Sequence, residues 1–356
     1  MKRVLVALSG GVDSSAVALI MKNEGYDVHA VTMKLHSKKD TTINDCVTSE
    51  DIEDAKRVCK TLEISHEVVD FSEDFEKYVI KSFISAYENG ATPNPCIECN
   101  FHLKFDKLFE YGKMLGYDSI ATGHYARIEY DEKYGRRVLK KAKNPAKDQS
   151  YVLFRLSREQ LENTFFPLGE LSKDEVRLLA KEAGLSDVSE KKESQDICFV
   201  PDGDYAKFIE DYTKKSYPCG NFVRKDGKLL GTHKGIIRYT IGQRKGLGLA
   251  LDHSMYVCAK NLDTNEVIIG DDIDLYSSEL WADNVTLSAI DKIDTPMRVF
   301  AKIRYKQEEK SATASFENGL LHIVFDEPQR AICKGQSVVL YDGDVVLGGG
   351  IICDPK

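Results

Sequence analysis

The first 130 residues alternate two hydrophobic rhythms. KRVLVAL shows no polar alternation, the pattern of a strand covered on both faces. VDSSAVALIMKNEG then repeats its apolar positions at helical spacing, with Gly25 placed to stop the helix. DVHAVTMKLH and HEVVDF read as a second and third strand. SEDIEDAKRVCKTLEI between them is an amphipathic helix with an acidic first turn. FEKYVIKSFISAYENG and FHLKFDKLFEYGKMLG continue as helices, and YDSIATGHYARI reads as a fourth strand with its exit loop. Strand–helix alternation of this kind predicts an α/β fold, a parallel sheet with helices on both faces.

Residues 131–200 are less regular: a basic stretch, a short helix (KDEVRLLAKEAGL) and a polar loop, SEKKESQD, before CFVP. From about residue 205 short strands and Gly turns are expected, and beyond about 277 the chain reads as nearly all β. Asn318-Gly319 and Asp342-Gly343 suit tight hairpins. The expected division is an α/β unit over 1–204, a small central domain over 205–277 and a C-terminal β-barrel over 278–356.

Composition narrows the class. With 42% hydrophobic and 30% charged residues, the 356-residue chain is a folded protein rather than a disordered one. Its apolar runs are too short to span a bilayer, and the N-terminal run meets a Gly-Gly turn before reaching signal-peptide length. A cytoplasmic protein with no membrane partner is expected. A net charge of −8 argues against indiscriminate coating of nucleic acid but leaves room for local basic patches. Nine cysteines, an odd number, argue against a disulfide framework and for metal-binding, catalytic or buried thiols.

Two segments carry candidate chemistry. In Ser9-Gly10-Gly11-Val12-Asp13-Ser14-Ser15 the glycines let backbone come close to an anion, and the next helix aims its first N–H groups outward. The three serines add hydroxyls, and Asp13 is a candidate Mg²⁺ ligand. The loop lacks the Lys of a Walker A motif and the spacing of a dinucleotide fingerprint. It resembles the loop of the N-type ATP pyrophosphatases, which transfer AMP to a substrate oxygen. In Thr92-Pro93-Asn94-Pro95-Cys96-Ile97-Glu98-Cys99 two prolines restrict a loop, and Cys99 is expected at a helix start, where N–H groups favour a thiolate. Cys198 follows a polar loop. Structural zinc, inert burial and sulfur transfer are the competing readings of these thiols.

Further blocks sharpen the resemblance. S-G-G-V-D-S, T-P-N-P-x-x-x-C-N, A-T-G-H-Y-A-R, K-D-Q-S-Y, D-I-C-F, the stretch from Tyr239 to Gly248 and the Gly-rich end from Leu347 to Ile352 are together similar to the tRNA-specific 2-thiouridylase family. The blocks span nearly the whole chain in family order. The resemblance implies ATP-dependent thiolation of carbon 2 of the wobble uridine in tRNAs for Lys, Glu and Gln. ATP would lie on Ala7, Leu8, Ser9, Gly10, Gly11, Val12, Asp13 and Ser14, with adenine near the Met33 backbone and Gly123. Cys99 would be the nucleophile and Cys198 the persulfide carrier, the two joining in a disulfide that a reductant reopens. Asn94, Pro95 and Cys96 would surround the extruded base, with His124 facing the RNA. Lys147, Asp148, Gln149, Arg304, Tyr305 and Gln336 would contact tRNA. A cysteine desulfurase or a sulfur-relay protein would supply sulfur.

Many family members carry Asp where this chain has Cys96, so a thiol stands where the family has an acid/base carboxylate. Cys96, Cys99 and Cys198 could instead hold a [4Fe-4S] cluster with one iron open. Cys46 has no place in either scheme. The basic run 132–147 holds seven Lys or Arg and is either a solvated hairpin or a phosphate grip. Lys234, Arg238, Arg244 and Lys245 form a second basic group. The alternatives are a pyrophosphatase-loop enzyme with an amine or ammonia nucleophile, and a non-catalytic ATP-gated tRNA-binding module.

Overall fold

The computed structural model describes residues 2–36, 46–185, 197–200 and 203–355. The polar loop SEKKESQD lies outside them. The first unit carries β1 (Arg3–Ala7), β2 (Asp27–Lys34), β3 (Ser65–Asp70), β4 (Ile120–Ala121), the hairpin β5 (Ala126–Asp131) and β6 (Arg136–Lys141), and β7 (Thr164–Phe165). Five of these form a parallel sheet in the order β3-β2-β1-β4-β7. β1 is apolar from Val4 to Ala7 because both of its faces are covered: Leu5 packs into one core, Val4 and Val6 into another. Helix α1 (Val12–Asn23) buries Val12, Ala16, Val17 and Met21 against the second core. Val12, Val17 and Met21 each contribute roughly 1.5–3 kcal/mol. Helix α2 (Ser49–Thr61) starts at a reciprocal cap between Thr48 and Asp51. Strand order reverses at β1, which opens a crevice at the carboxyl ends of β1 and β4.

The central unit differs from the sequence expectation at its start. Residues Tyr205–Thr213 form a helix, not a strand, capped by Asp204 and packed through Ala206, Phe208 and Ile209. The apolar spacing Tyr205, Phe208, Ile209, Tyr212 is helical, and the Gly turns downstream mask it. Next come β8 (Gly220–Arg224), β9 (Leu229–His233), β10 (Tyr256–Asn261) and β11 (Glu266–Gly270), in the order β10-β11-β8-β9.

The last unit is a barrel of β12 (Tyr276–Leu287), β13 (Met297–Lys302), β14 (Lys310–Glu317), β15 (Leu320–Arg330), β16 (Ser337–Asp342) and β17 (Val345–Cys353). It closes through the β12–β17 pairing, which removes its free edges. Asn318 and Gly319, both at positive φ, turn β14 into β15. At the other hairpin Asp342 pairs with Val345, so the turn residues are Gly343-Asp344, one position later than expected.

The hairpin β5–β6 leaves the parallel sheet and extends the barrel's sheet, with Lys140 opposite Val345. The expected fourth strand is therefore two elements in two sheets. Among the described residues no helix is long and apolar enough to cross a membrane.

Candidate active site

The phosphate loop is held by its own side chains. Gly10 has φ +75°, and a Cβ there would lie 2.2 Å from the Asp51 carbonyl oxygen, so only glycine fits against the first turn of α2. Gly11 caps α1 in an extended conformation without a side-chain bond, which leaves first-turn N–H groups of the helix for an anion. Ser14 Oγ accepts from Ser9 N at 3.1 Å and donates to Gly11 O at 3.1 Å. Ser15 is fully buried and donates to Gly11 O at 2.9 Å. Its hydroxyl braces the loop and is not aimed at a ligand, contrary to expectation.

The loop is tied to β2 by Leu8 N donating to Val31 O and Thr32 Oγ1 donating to Leu8 O. Met33 follows at the carboxyl end of β2. Gly123 packs on the start of α1, where a Cβ would lie 3.1 Å from Ser14 N. These contacts bring Ala7 to Ser14, Met33 and Gly123 to one end of the sheet.

Asp13 points to a partner that sequence reasoning missed. Lys173, buried in the first turn of the helix Lys173–Glu182, donates to both Asp13 oxygens at 2.8 and 2.9 Å. Tyr125 OH donates to Asp13 Oδ1 at 2.7 Å. A lone carboxylate already paired to an ammonium does not suit a resident Mg²⁺. Among the described residues no group of three or more His, Cys, Asp or Glu is arranged for a metal.

The cysteine segment forms the second wall. Asn94 caps a short helix, Pro95–Glu98, by accepting from Cys96 N at 3.1 Å. That helix runs straight on into the π-helical stretch Cys99–Lys107 and then Leu108–Met114. Cys99 is thus inside a helix rather than at its start, and its N–H bonds back to Cys96 O and Pro95 O. Burial pushes its thiol up to about 11, while the Lys104 ammonium opposes the shift and Cys96 adds to it. The thiolate expected from a helix start is therefore absent near neutrality. Cys96 itself is exposed.

Other segments fasten this wall. Arg155 donates to Glu98 at 2.7 Å and covers the Phe101 ring at 3.7 Å. From the barrel, Lys334 O accepts from Thr92 N at 2.8 Å, and Gln336 Nε2 donates to Thr92 O at 2.7 Å. His124 is buried between Phe105 and Phe166, 2.7 Å from Thr122 Oγ1 and 3.5 Å from Lys104 Nζ. Burial, aided by Lys104, holds it well below the usual histidine range, so it is neutral. Lys104, another residue missed from sequence, thus faces His124 and the Cys96–Cys99 pair.

Cys198 is placed by its neighbour. Phe199 is fully buried among Phe75, Phe83 and Phe208, with ring centroids 5.3–5.7 Å away. The expected Cys99–Cys198 pairing is not the one present. Cys198 is bonded to Cys46, with Cα atoms 5.0 Å apart, and Cys99 is a free thiol. A three-thiolate cluster site on Cys96, Cys99 and Cys198 does not fit this arrangement.

The expected RNA contacts divide. Asp148 accepts from Ala142 N, Ser150 N and Ser150 Oγ, and Gln149 exchanges two bonds with the Tyr125 backbone. Both thereby brace the loop that carries Gly123 and His124. Lys147 N donates to Asn144 O. Arg304 binds Ala331 O and lies 3.4 Å from Cys333 Sγ, inside the barrel's end, while Tyr305 is partly exposed. In the basic run, Lys133, Arg136, Lys140, Lys141 and Lys143 face Asp342, Asp291, Asp131, Glu309 and Glu170. Five of its seven basic residues thus face carboxylates, three of them in the last unit. Arg238 pairs with Glu210, whereas Lys234, Arg244 and Lys245 are exposed.

Comparison with known proteins follows the same three-part layout. Residues 2–202 match the family model described as tRNA methyl transferase HUP domain, 206–271 the tRNA methyl transferase PRC-barrel domain, and 277–352 the aminomethyltransferase beta-barrel domain. A tRNA-specific 2-thiouridylase MnmA of Clostridioides difficile is 48% identical over 99% of this chain and 98% of its own length. The protein of the same description from Acetivibrio thermocellus is 47% identical over 99% of both chains. Among solved structures, a 4-thiouridine synthetase–RNA complex with bound ATP covers 60% of this chain and 51% of its own, at 14% identity and a TM-score of 0.36. Near-half identity sustained along the full length, on a parallel-sheet unit, a central unit and a closed barrel, settles the assignment: the chain belongs to the tRNA-specific 2-thiouridylase family.

Proposed function

We propose that the protein thiolates carbon 2 of the wobble uridine in tRNAs for Lys, Glu and Gln, using ATP. The observation that carries this reading is the link between two unlike walls: Gly123 packs on the anion-binding loop, and the next residue, His124, meets Lys104, whose charge acts on Cys96 and Cys99. ATP binds along Ala7 to Ser14, adenine against Met33 and Gly123. Lys173 adds positive charge beside Asp13 at the loop. Asn94, Pro95 and Cys96 surround a uridine drawn out of the anticodon loop, since C2 is unreachable in a stacked base. Uridine O2 attacks the α-phosphate, pyrophosphate leaves, and O2 becomes a good leaving group. Sulfur carried on Cys198 as a persulfide then replaces AMP at C2, with Cys99 as the thiol on the base side. Tyr305, Lys234, Arg244 and Lys245 are the exposed side chains suited to RNA contact, by stacking and by charge.

A persulfide route is favoured over an iron–sulfur one because Cys198 is bonded to another cysteine. A desulfurase or relay protein feeds the persulfide, and the tRNA substrate puts the reaction in the cytoplasm. The test is thiolation of an unmodified tRNA transcript with ATP, a cysteine desulfurase and cysteine, after anaerobic purification and an iron assay. Expected are 2-thiouridine and tRNA-dependent pyrophosphate release without iron, with thiolation lost in Cys198→Ser. Thiolation that survives in Cys198→Ser, or that requires bound iron, overturns the reading.

A further inference from the structure

We propose that Lys104 is a positioning residue for Cys99, the cation that offsets the negative charge of that sulfur when it reacts. This rests on the reading of Cys99 as a reacting thiol in sulfur transfer. Helix geometry brings the two together. Cys99 opens the π-helical stretch Cys99–Lys107, whose bonds run five residues back, as from Leu108 N to Leu103 O. In an α-helix, with 3.6 residues per turn, the fifth residue on is turned away from the first. The wider π turn returns Lys104 towards the face of Cys99, a distortion that is frequent at functional sites. Leu103 and Phe105, on either side of Lys104, are fully buried, so its backbone is fixed.

The contact at the tip of Lys104 leaves its charge uncancelled. Lys107 and Lys113, further along the same run of helix, face Glu110 and Glu159. Lys104 Nζ instead lies 3.5 Å from His124 Nε2, on a buried ring that is neutral. An ammonium has no lone pair to accept with, so Nε2 takes its hydrogen and Nδ1 donates to Thr122 Oγ1 at 2.7 Å. A neutral imidazole thus orients the ammonium without neutralising it.

The groups whose charge reaches Cys99 are Lys104 and Cys96, with opposite effects. Lys104 acts on Cys96 in the same sense, and Tyr305 of the barrel is within range of Cys96. Glu98, next to Cys99 in sequence, is engaged by Arg155 at 2.7 Å and His102 at 3.4 Å. When Cys99 ionises, its proton passes to solvent and the electron pair stays on Sγ. In a buried site that anion is costly unless a cation stands by, and Lys104 is the cation in place.

The experiment uses the full-length protein with Cys96→Ser as parent, and adds Lys104→Arg, Lys104→Gln or Lys104→Glu. Alkylation of Cys99 by iodoacetamide is followed by mass spectrometry at roughly pH 8. Gln and Glu match in size and differ in charge, so the pair separates charge from packing. Lys104→Arg should stay within about threefold of the parent, Lys104→Gln should react about tenfold more slowly, and Lys104→Glu slower again by about as much. Equal rates in Lys104→Gln and Lys104→Glu, a Lys104→Arg rate as low as that of Lys104→Gln, or a rise such as a loosened thiol would give, overturn the proposal. With Cys96 restored, the protein is loaded with sulfur by a cysteine desulfurase and cysteine, then given ATP and unmodified tRNA. Single-turnover formation of 2-thiouridine should follow the same order. Thiolation equal across the series while Cys99→Ser is inactive also overturns the proposal. Wild-type thiolation in Cys99→Ser is a separate outcome: it sinks the reading of Cys99 as a reacting thiol and leaves the alkylation series standing.

Discussion

Lys173 and Asp13 meet across 160 positions of sequence at the mouth of the phosphate loop. The ammonium is buried and its partner carboxylate is partly exposed. Removing Lys173 leaves a negative charge beside the site where a triphosphate must bind. Lys173→Met should therefore lower tRNA-dependent pyrophosphate release by about 10²-fold, with tRNA affinity in filter binding unchanged. Lys173→Arg, which keeps the charge, should recover part of the rate. Cys99 gives a second prediction at this scale. With its thiol raised to about 11, the thiolate fraction grows with every step in pH across the neutral range. Alkylation of Cys99 by iodoacetamide should rise about tenfold per pH unit between roughly pH 7 and 9, measured by mass spectrometry in a Cys96→Ser background. A plateau below pH 9 would contradict this. The loop's Gly-Gly and its serines were legible in sequence because their geometry is local. Lys173 and Lys104 were not, because only tertiary folding brings a lysine to a loop or turns one face of a helix towards two thiols.

Elements followed the same division. The strands β1, β2 and β3 and helices α1 and α2 were legible from apolar runs and 3.6-residue spacing. The short β4 was over-read, because the apolar and small residues after it serve a different sheet. The helix Tyr205–Thr213 was lost among neighbouring turns, although its spacing is helical. In the cysteine segment the two prolines suggested a loop, yet Pro95 occupies the first position of a helix, where its missing N–H does no harm. That one element moves Cys99 from a helix start into a helix interior, where burial raises its thiol rather than lowering it.

At the scale of the molecule, the units share one sheet and a seam of charges. Arg127 on β5 reaches Asp344 at the barrel's last hairpin turn, and also Glu129 and Glu170. Arg127→Met leaves three carboxylates facing one another and should destabilise the protein by about 1–2 kcal/mol. Because the hairpin is continuous with the barrel sheet, calorimetry should show one transition moved down by a few degrees. A split into two transitions would mean that the hairpin does not couple the units. The same seam was not legible in the basic run, because the carboxylates that Lys133, Arg136 and Lys141 face lie some 155–209 positions away, and no local pattern announces them.

The pairing of Lys140 with Val345 also has a temporal side. A ribosome delivers the hairpin about 200 residues before its partner strand, so the hairpin that follows Gly123 and His124 gains this brace only after that strand has emerged. A polypeptide released early would lack that brace along with the Gln336 anchor on Thr92. The proposed chemistry would thereby be reserved for chains whose barrel strands have been made.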